Sequence, residues 1–190
     1  MDYYFTNFNN QIVADIENPR EVSFYNLKGN SYSHSLQSEW GIELTEYFEL
    51  KAAYKWYNIK TQYNSGFKTK PLIAQNRALV NLSYVTNFDI WKFDLTGKWF
   101  GISRIPSTHA NLPENIAAVS SDPYFLLSGQ ITKAFKHFEL YSGVENILNY
   151  TQDNPIIAAS DPNGSNFDAS LIWGQVVGRN IYFGFSFKLK

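Results

Sequence analysis

Apolar and polar positions alternate with a period of two along most of the chain, and helical periodicity is almost absent. Near the C-terminus Ile181, Phe183, Phe185, Phe187 and Leu189 share one parity, while Tyr182, Gly184, Ser186, Lys188 and Lys190 share the other. Trp91, Phe93, Leu95, Gly97 and Trp99 oppose Lys92, Asp94, Thr96 and Lys98. Phe48, Leu50, Ala52, Tyr54 and Trp56 oppose Glu49, Lys51, Ala53 and Lys55, and Trp40, Ile42 and Leu44 oppose Glu39, Gly41 and Glu43. Each such strand carries one apolar and one polar face. The pattern predicts eight strands, near 2–16, 23–45, 47–63, 74–86, 89–104, 123–136, 138–151 and 178–190. Several exceed the roughly 3–10 residues common in globular sheets. A tilted strand needs about 9–11 residues to cross a bilayer.

The expected connections alternate in length. Thr45-Glu46-Tyr47, 86–89 and Lys136-His137 are tight, whereas 17–22, 64–73, 105–122 and 152–177 are longer and rich in Asn, Pro, Ser and Gly. In an antiparallel meander this puts every long connection at one end and every short turn at the other. Outer-membrane barrels have that asymmetry. The expected fold is therefore all-β: an antiparallel up-and-down transmembrane β-barrel meander of about eight strands.

Composition narrows the alternatives. Aromatic residues make up 17% of the 190, yet mean hydropathy is only −0.31, so the aromatics are interleaved with polar residues rather than massed. The run of about 20 apolar residues that a membrane helix needs is missing. Alternating barrel strands average to a modest hydropathy and are not excluded by it. Sixteen Lys and Arg against 17 Asp and Glu give a net charge of −1, which supplies no basic face for nucleic acid. With no Cys there is neither a disulfide framework nor a thiolate metal site. Residues 2–8 already read as strand, with no basic and apolar leader ahead of them, so either the protein is cytosolic or its signal lies outside these residues.

Trp91 and Trp99 share a parity eight positions apart, about 20 Å along the membrane normal for a strand tilted by roughly 40°. They fit the two aromatic girdles of an apolar band, and equally two core tryptophans of a soluble β-sandwich. The C-terminal pattern Tyr182-x-Gly184-x-x-Phe187-x-Leu189 resembles the terminal-strand signal read by the barrel-assembly machinery of outer membranes, with Lys190 where an aromatic residue is common. GVENILNY (143–150), NPIIAA (154–159), FDASLIWG (167–174) and GRNIYFGFSF (178–187) resemble the end of a TonB-dependent outer-membrane receptor of the Bacteroidetes type. Residues 20–40 and 70–86 resemble the same barrel. The resemblance implies that 1–190 is the C-terminal part of a larger plugged barrel, with the plug and the TonB-engaging segment not represented. It also implies a bacterial outer-membrane location, membrane lipids and the TonB complex as partners, and uptake of a bulky small-molecule or glycan ligand such as a siderophore or cobalamin.

Uptake transforms nothing covalently, so neither catalytic residues nor cofactors are expected. His34, His109 and His137 are far apart and match no ligand spacing. Glu43, Glu46 and Glu49 cluster about a turn, and Ser120-Ser121-Asp122 with His109 lacks the GxSxG context of a hydrolase. Glu139 and Glu145 have the polar parity. Asn163-Gly164 reads as a turn. Phe167 and Trp173 in the 152–177 segment either stack on a ligand or pack that segment on the rim. Two other architectures fit the pattern: a complete eight-stranded barrel serving adhesion or as a barrel enzyme, and a soluble carbohydrate-binding β-sandwich. Strands cut from a larger barrel leave two open edges in lipid, each unsatisfied group costing several kcal/mol. Expressed alone, the chain should therefore aggregate. Recovery of a cooperatively folding, detergent-free monomer by sedimentation and thermal melting would contradict the fragment reading.

Overall fold

The computed structural model describes residues 1–18, 20–109 and 111–187, and its regular structure is almost entirely β. In chain order the strands are β1 (Asp2–Phe8), β2 (Ile12–Asp15), β3 (Ser23–Asn26), β4 (Ser31–Thr45), β5 (Phe48–Tyr63), β6 (Gly66–Thr69), β7 (Asn76–Val85), β8 (Trp91–Phe100), β9 (Tyr124–Ala134), β10 (Phe138–Glu145) and β11 (Asn180–Phe187). One sheet runs β1-β4-β5-β7-β8-β9-β10-β11, every neighbouring pair antiparallel, with β6 returning along the end of β5. The eight strands of this path are the eight expected, as a meander.

Three expectations need correction in detail. The strand expected over 2–16 breaks after Phe8, where Asn7 Nδ2 donates to Asn9 Oδ1 at 3.0 Å. The strand expected over 23–45 breaks at Gly29, whose φ of 120° is open mainly to glycine. The two detached pieces, β2 and β3, pair with each other as a separate hairpin. Short runs without apolar residues, Asn9-Asn10-Gln11 and Lys28-Gly29-Asn30-Ser31, interrupt the alternation at both breaks. The 64–73 connection holds a further strand, β6, where Gly66 at φ 114° lets the chain double back through Asn64-Ser65.

Register puts all residues of one parity on one face. Across the sheet, the row Ile42, Leu50, Leu82, Leu95, Gly129, Val144, Ile181 lies on the apolar face. The neighbouring row Lys51, Asn81, Thr96, Ser128 lies on the polar one. The apolar face is uncovered: Trp40 is 54%, Phe185 73% and Phe183 80% exposed. The buried apolar residues, Val13, Leu27, Tyr63, Ala74, Ile105 and Leu171, all sit at the end where the long connections gather. The second sheet, β2–β3, packs there on Tyr63 through Val13 and Leu27. A β-sandwich would bury the apolar face of the main sheet beneath another sheet, and among the described residues nothing does so. The eight strands do not close either: among the described residues β1 pairs only with β4 and β11 only with β10.

Close packing on the polar face ties the last two strands together. Tyr182 lies across Gly143, and its hydroxyl reaches over β10 to donate to Gln130 Oε1 at 2.8 Å. Tyr141 lies reciprocally across Gly184. A Cβ on Gly143 would overlap the Tyr182 ring, whereas one on Gly41 meets nothing within 4 Å. Overpacking of this kind costs about 1–3 kcal/mol. Gly143→Ala should therefore lower stability to denaturant by about that much, and Gly41→Ala by less than about 0.5 kcal/mol. Urea unfolding of the two variants in detergent, followed by tryptophan fluorescence, tests the difference.

Candidate functional site

The long connections form an organised assembly at one end of the sheet. The β2–β3 hairpin is anchored to the end of β5: Tyr25 donates to Asp15 and accepts from the Asn64 amide at 3.0 Å. Glu17, only 7% exposed, is held from two other connections. Lys68 of β6 approaches it at 3.1 Å, and the Arg104 guanidinium grips both carboxylate oxygens. Arg104 Nε also donates to the Thr69 carbonyl at 2.6 Å. Burial pushes the Glu17 pKa up, but the hydrogen bonds and charges of Arg104 and Lys68 outweigh it and hold the group below its ordinary value.

Residues 105–122 fold back on themselves. Ser103 and Ser121 exchange hydrogen bonds at 2.8 Å, Ile105 donates to Val119 at 3.0 Å, and Thr108 Oγ1 accepts from Ala117 at 2.7 Å. Residues 152–177 are fixed by three side chains. Asn146, at φ 51°, donates to the Tyr150 and Val177 carbonyls and accepts from the Tyr150 amide. Buried Gln152 donates to Leu171 and accepts from Trp173 and Gly174. Asp168 accepts from the amide and hydroxyl of Ser170. Arg20 spans both segments, donating to Asn111 and Asn166.

Between the two segments lies a cavity of about 490 Å³. Ile105, Ile116, Ile156 and Leu171 form its apolar wall, and Glu114, Asp122 and Asp153 contribute carboxylates. Asn115, Asn154 and Ser120 add neutral polar groups, and no Lys, Arg or His is among its described lining residues. Trp173 lines it; Phe167, half-buried in the turn after Gly164, does not. From Trp173 an aromatic series runs down to the sheet. Tyr124 lies 6.0 Å from the Trp173 ring and stacks on Tyr150 at 5.0 Å and Phe100 at 4.8 Å. Phe100 in turn faces the Arg77 guanidinium at 5.7 Å on the polar face.

The other residues singled out from the sequence fall as follows. Trp91 and Trp99 lie on the apolar face at opposite ends of β8; Trp91 has Lys133 Nζ 4.8 Å above its ring. Tyr182 and Gly184 are on the polar face of β11 and Phe187 on the apolar one, while Leu189 lies outside the described residues. Lys92 pairs with Glu139 at 3.3 Å on the polar face. His34 accepts or donates with the Tyr3 hydroxyl at 2.6 Å and stacks on Phe5. Ser120, Ser121 and Asp122 line the cavity, but among the described residues no hydrogen bond joins them to His109. No cluster of three metal-ligating side chains exists among the described residues. Sequence reasoning missed Glu17, Arg104, Asn146 and Gln152. Only Asn146, within GVENILNY, carried a local signal.

An open antiparallel meander with opposed apolar and polar faces, its long connections gathered at one end, is the fold of part of a TonB-dependent outer-membrane receptor barrel. The chain matches the ferripyoverdine receptor of the outer membrane of Pseudomonas aeruginosa with a TM-score of 0.63 at 18% identity, over 96% of this chain and 24% of that one. It matches the ferric enterobactin receptor PfeA of the same organism with a TM-score of 0.67 at 13% identity, over 96% and 28%. For the copper transporter OprC the values are 0.65 and 13%, over 97% and 27%. The chain thus spans about a quarter of the length of the receptors it matches. No protein-family model and no curated protein matches it.

The Glu17 site gives a pH test. A carboxylate whose pKa is lowered by folding adds stability that is fully present above its unfolded pKa and is lost as pH falls through the folded value. Amide exchange protection of 12–27 should therefore be constant near neutrality and fall on acidification below about pH 4.5. Glu17→Gln leaves two cations without their buried partner, a loss of about 3–5 kcal/mol for this assembly. It should weaken protection at neutral pH and flatten the acid dependence, as hydrogen exchange with mass spectrometry would show.

Proposed function

We propose that these residues form the C-terminal part of the barrel wall, with its outer loops, of a TonB-dependent receptor in a bacterial outer membrane. The receptor takes up a scarce, bulky solute such as a siderophore, a cobalamin or a glycan. The observation that carries this reading is the pair of faces. The sheet leaves a continuous apolar face uncovered, as a lipid-facing wall requires, and turns most of its charged side chains to the other side, Lys133 beside Trp91 at the end of β9 being an exception. The matched proteins bind or carry ferripyoverdine, enterobactin and copper, which supports an import role without choosing the solute. The tail motifs favour a receptor of the Bacteroidetes type.

In this reading the short turns face the periplasm and the loop assembly faces outward. Trp91 and Trp99 mark the two girdles of the apolar band. Tyr182, Gly184, Phe187 and Leu189 present the last strand to the barrel-assembly machinery, and the Tyr–Gly packing of β10 and β11 fixes that strand's register. Ligand enters the cavity between 105–122 and 152–177, stacks on Trp173 and passes to the polar face. The plug, supplied by residues other than these, transmits the pull of TonB. The chain contributes walls and contacts and does no covalent chemistry.

Two measurements test it in the full-length polypeptide. Single cysteines at Leu95 and Phe183 should react with a lipid-confined probe and resist a water-soluble maleimide in outer-membrane vesicles, with the reverse at Ser83 and Lys98. Trp173→Ala, or deletion of the 152–177 segment, should weaken binding at least tenfold for whichever member of a panel of ferric siderophores, cobalamin and oligosaccharides the receptor takes. Unchanged affinity on loop deletion would remove that loop from the ligand site.

A further inference from the structure

A second site lies on the polar face, beneath the loop cavity, where β5, β7 and β8 run side by side. Register sets Lys55 directly opposite Arg77, and Arg77 directly opposite Phe100. One row along, Ala53 faces Leu79 and Leu79 faces Lys98. Ala53 and Leu79 thus form the apolar floor of a hollow of about 240 Å³, with Lys55, Arg77 and Lys98 among its walls.

Like charges directly opposite each other destabilise a sheet, so this cluster carries an electrostatic cost that something must offset. Four cations of the chain have carboxylate partners, Lys51 with Glu49, Lys92 with Glu139, and Lys68 and Arg104 with Glu17, while the remaining described Lys and Arg residues form no ion pair. Among the described residues Lys55, Arg77 and Lys98 have none. Glu39 also lines the hollow, and its carboxylate accepts from Gln37. The Arg77 guanidinium lies 5.8 Å from the Tyr57 ring and 5.7 Å from the Phe100 ring, and Lys55 Nζ lies 5.2 Å over Tyr57. Arg77 Nε is buried and has no acceptor among the described residues. Nε and the adjacent Nη are the donor pair with which a guanidinium takes a carboxylate or phosphate in bidentate fashion.

We infer that Lys55, Arg77 and Lys98 form an oxyanion site on the polar face, taking a carboxylate or phosphate whose apolar body rests on Ala53, Leu79 and Phe100. The inference rests on the polar face being the lumenal one. The site is joined to the loop cavity by the Phe100–Tyr124–Trp173 series, so an anionic group on a solute leaving that cavity meets it next. A carboxylate on a chain segment occupying the lumen offers the same chemistry, and the test separates the two sources.

The experiment uses the full-length polypeptide in detergent at low salt, with citrate and inorganic phosphate as probes. Titration calorimetry and the thermal midpoint are measured for wild type, Arg77→Gln, Arg77→Lys, Lys98→Gln and the control Lys51→Gln. Saturable citrate or phosphate binding, weakened at least tenfold by Arg77→Gln and Lys98→Gln but not by Lys51→Gln, supports a site open to a free anion. Arg77→Lys, which keeps the charge and loses the fork, should weaken it several-fold. No binding of either probe, with a midpoint several degrees lower in Arg77→Gln than in Lys51→Gln, supports the site as filled by a carboxylate of the polypeptide itself. No binding together with an unchanged or raised midpoint in Arg77→Gln overturns the inference, because removing a cation that only repels its neighbours relieves strain. Binding indifferent to the Arg77 and Lys98 substitutions overturns it as well. Neither measurement needs a membrane or transport, so failure here leaves the cysteine-accessibility test of the receptor reading standing, and the reverse holds.

Discussion

The parity of each residue in the eight-strand ladder commits its side chain to one of two surroundings, and the rest of the structure follows from that division. Antiparallel pairing carries the assignment from strand to strand, with one register shift between Glu43 and Thr45 at the β4–β5 turn. A shift by a single residue would move a whole strand's apolar set to the polar side. The apolar side has no protein covering it: Phe183, Phe185 and Trp40 are more than half exposed. In the proposed receptor reading, burying them against lipid instead of a second sheet would supply the hydrophobic stabilisation that a globular domain draws from its core, at about 25 cal/mol per Å² removed from water. The small true core lies elsewhere, under the β2–β3 hairpin, and stabilises the loop assembly rather than the sheet.

The same ladder defines what the sheet needs next. β1 and β11 are each paired on one side only among the described residues. An unpaired row of amides and carbonyls is a template in water and costs several kcal/mol per group in lipid. In the proposed reading, further strands on both edges would satisfy it; the chain spans about a quarter of the receptors it matches. The reciprocal Tyr182–Gly143 and Tyr141–Gly184 packing has a clear place in that scheme. It locks β11 on β10 through side chains on the polar face, leaving the apolar face of the edge strand uncovered.

Much of this was legible in the sequence because period-two alternation is a local signal that repeats. The eight meander strands, their short turns at Lys136-His137 and Thr45-Glu46-Tyr47, and the shared face of Trp91 and Trp99 all follow from it. The breaks at Asn9-Asn10 and Gly29 fall in short polar runs, Asn9-Asn10-Gln11 and Lys28-Gly29-Asn30-Ser31, which an assignment of two long strands passes over. What detaches β2 and β3 is a tertiary contact, with Val13 and Leu27 burying against Tyr63. The candidate site was less legible for a related reason. Glu17 and Arg104 are 87 residues apart, and Gln152 acts on backbone groups 19 to 22 residues away. Such pairs are selected by where the loops meet, and no spacing along the chain announces them. Trp173 was visible as a loop aromatic, whereas Phe167, equally visible, turned out to lie away from the cavity.

The electrostatics of the polar side give the arrangement a direction. The outer cavity is lined by Glu114, Asp122 and Asp153, and the hollow beneath it by Lys55, Arg77 and Lys98. A rigid aromatic series joins them, the Tyr124–Tyr150 and Phe100–Tyr124 planes within 4° and 11° of parallel. Aromatic faces hold an apolar or hydroxylated body with little dependence on its charge, so they serve as a neutral bridge between regions of opposite sign. In the proposed transport reading, a purely anionic solute would be disfavoured at the carboxylates of the loop cavity and favoured at the cations of the hollow, and a cationic one would meet the reverse order. A solute carrying an anionic group on a larger neutral or mixed body can satisfy both regions in sequence, its body on the rings while the anion moves inward. The side chains that would read it come from β5, β7 and β8 and from two loops held by Asn146, Gln152 and Arg20. In the proposed transport reading, selectivity would therefore depend on the same ladder and loop contacts that hold the fold together.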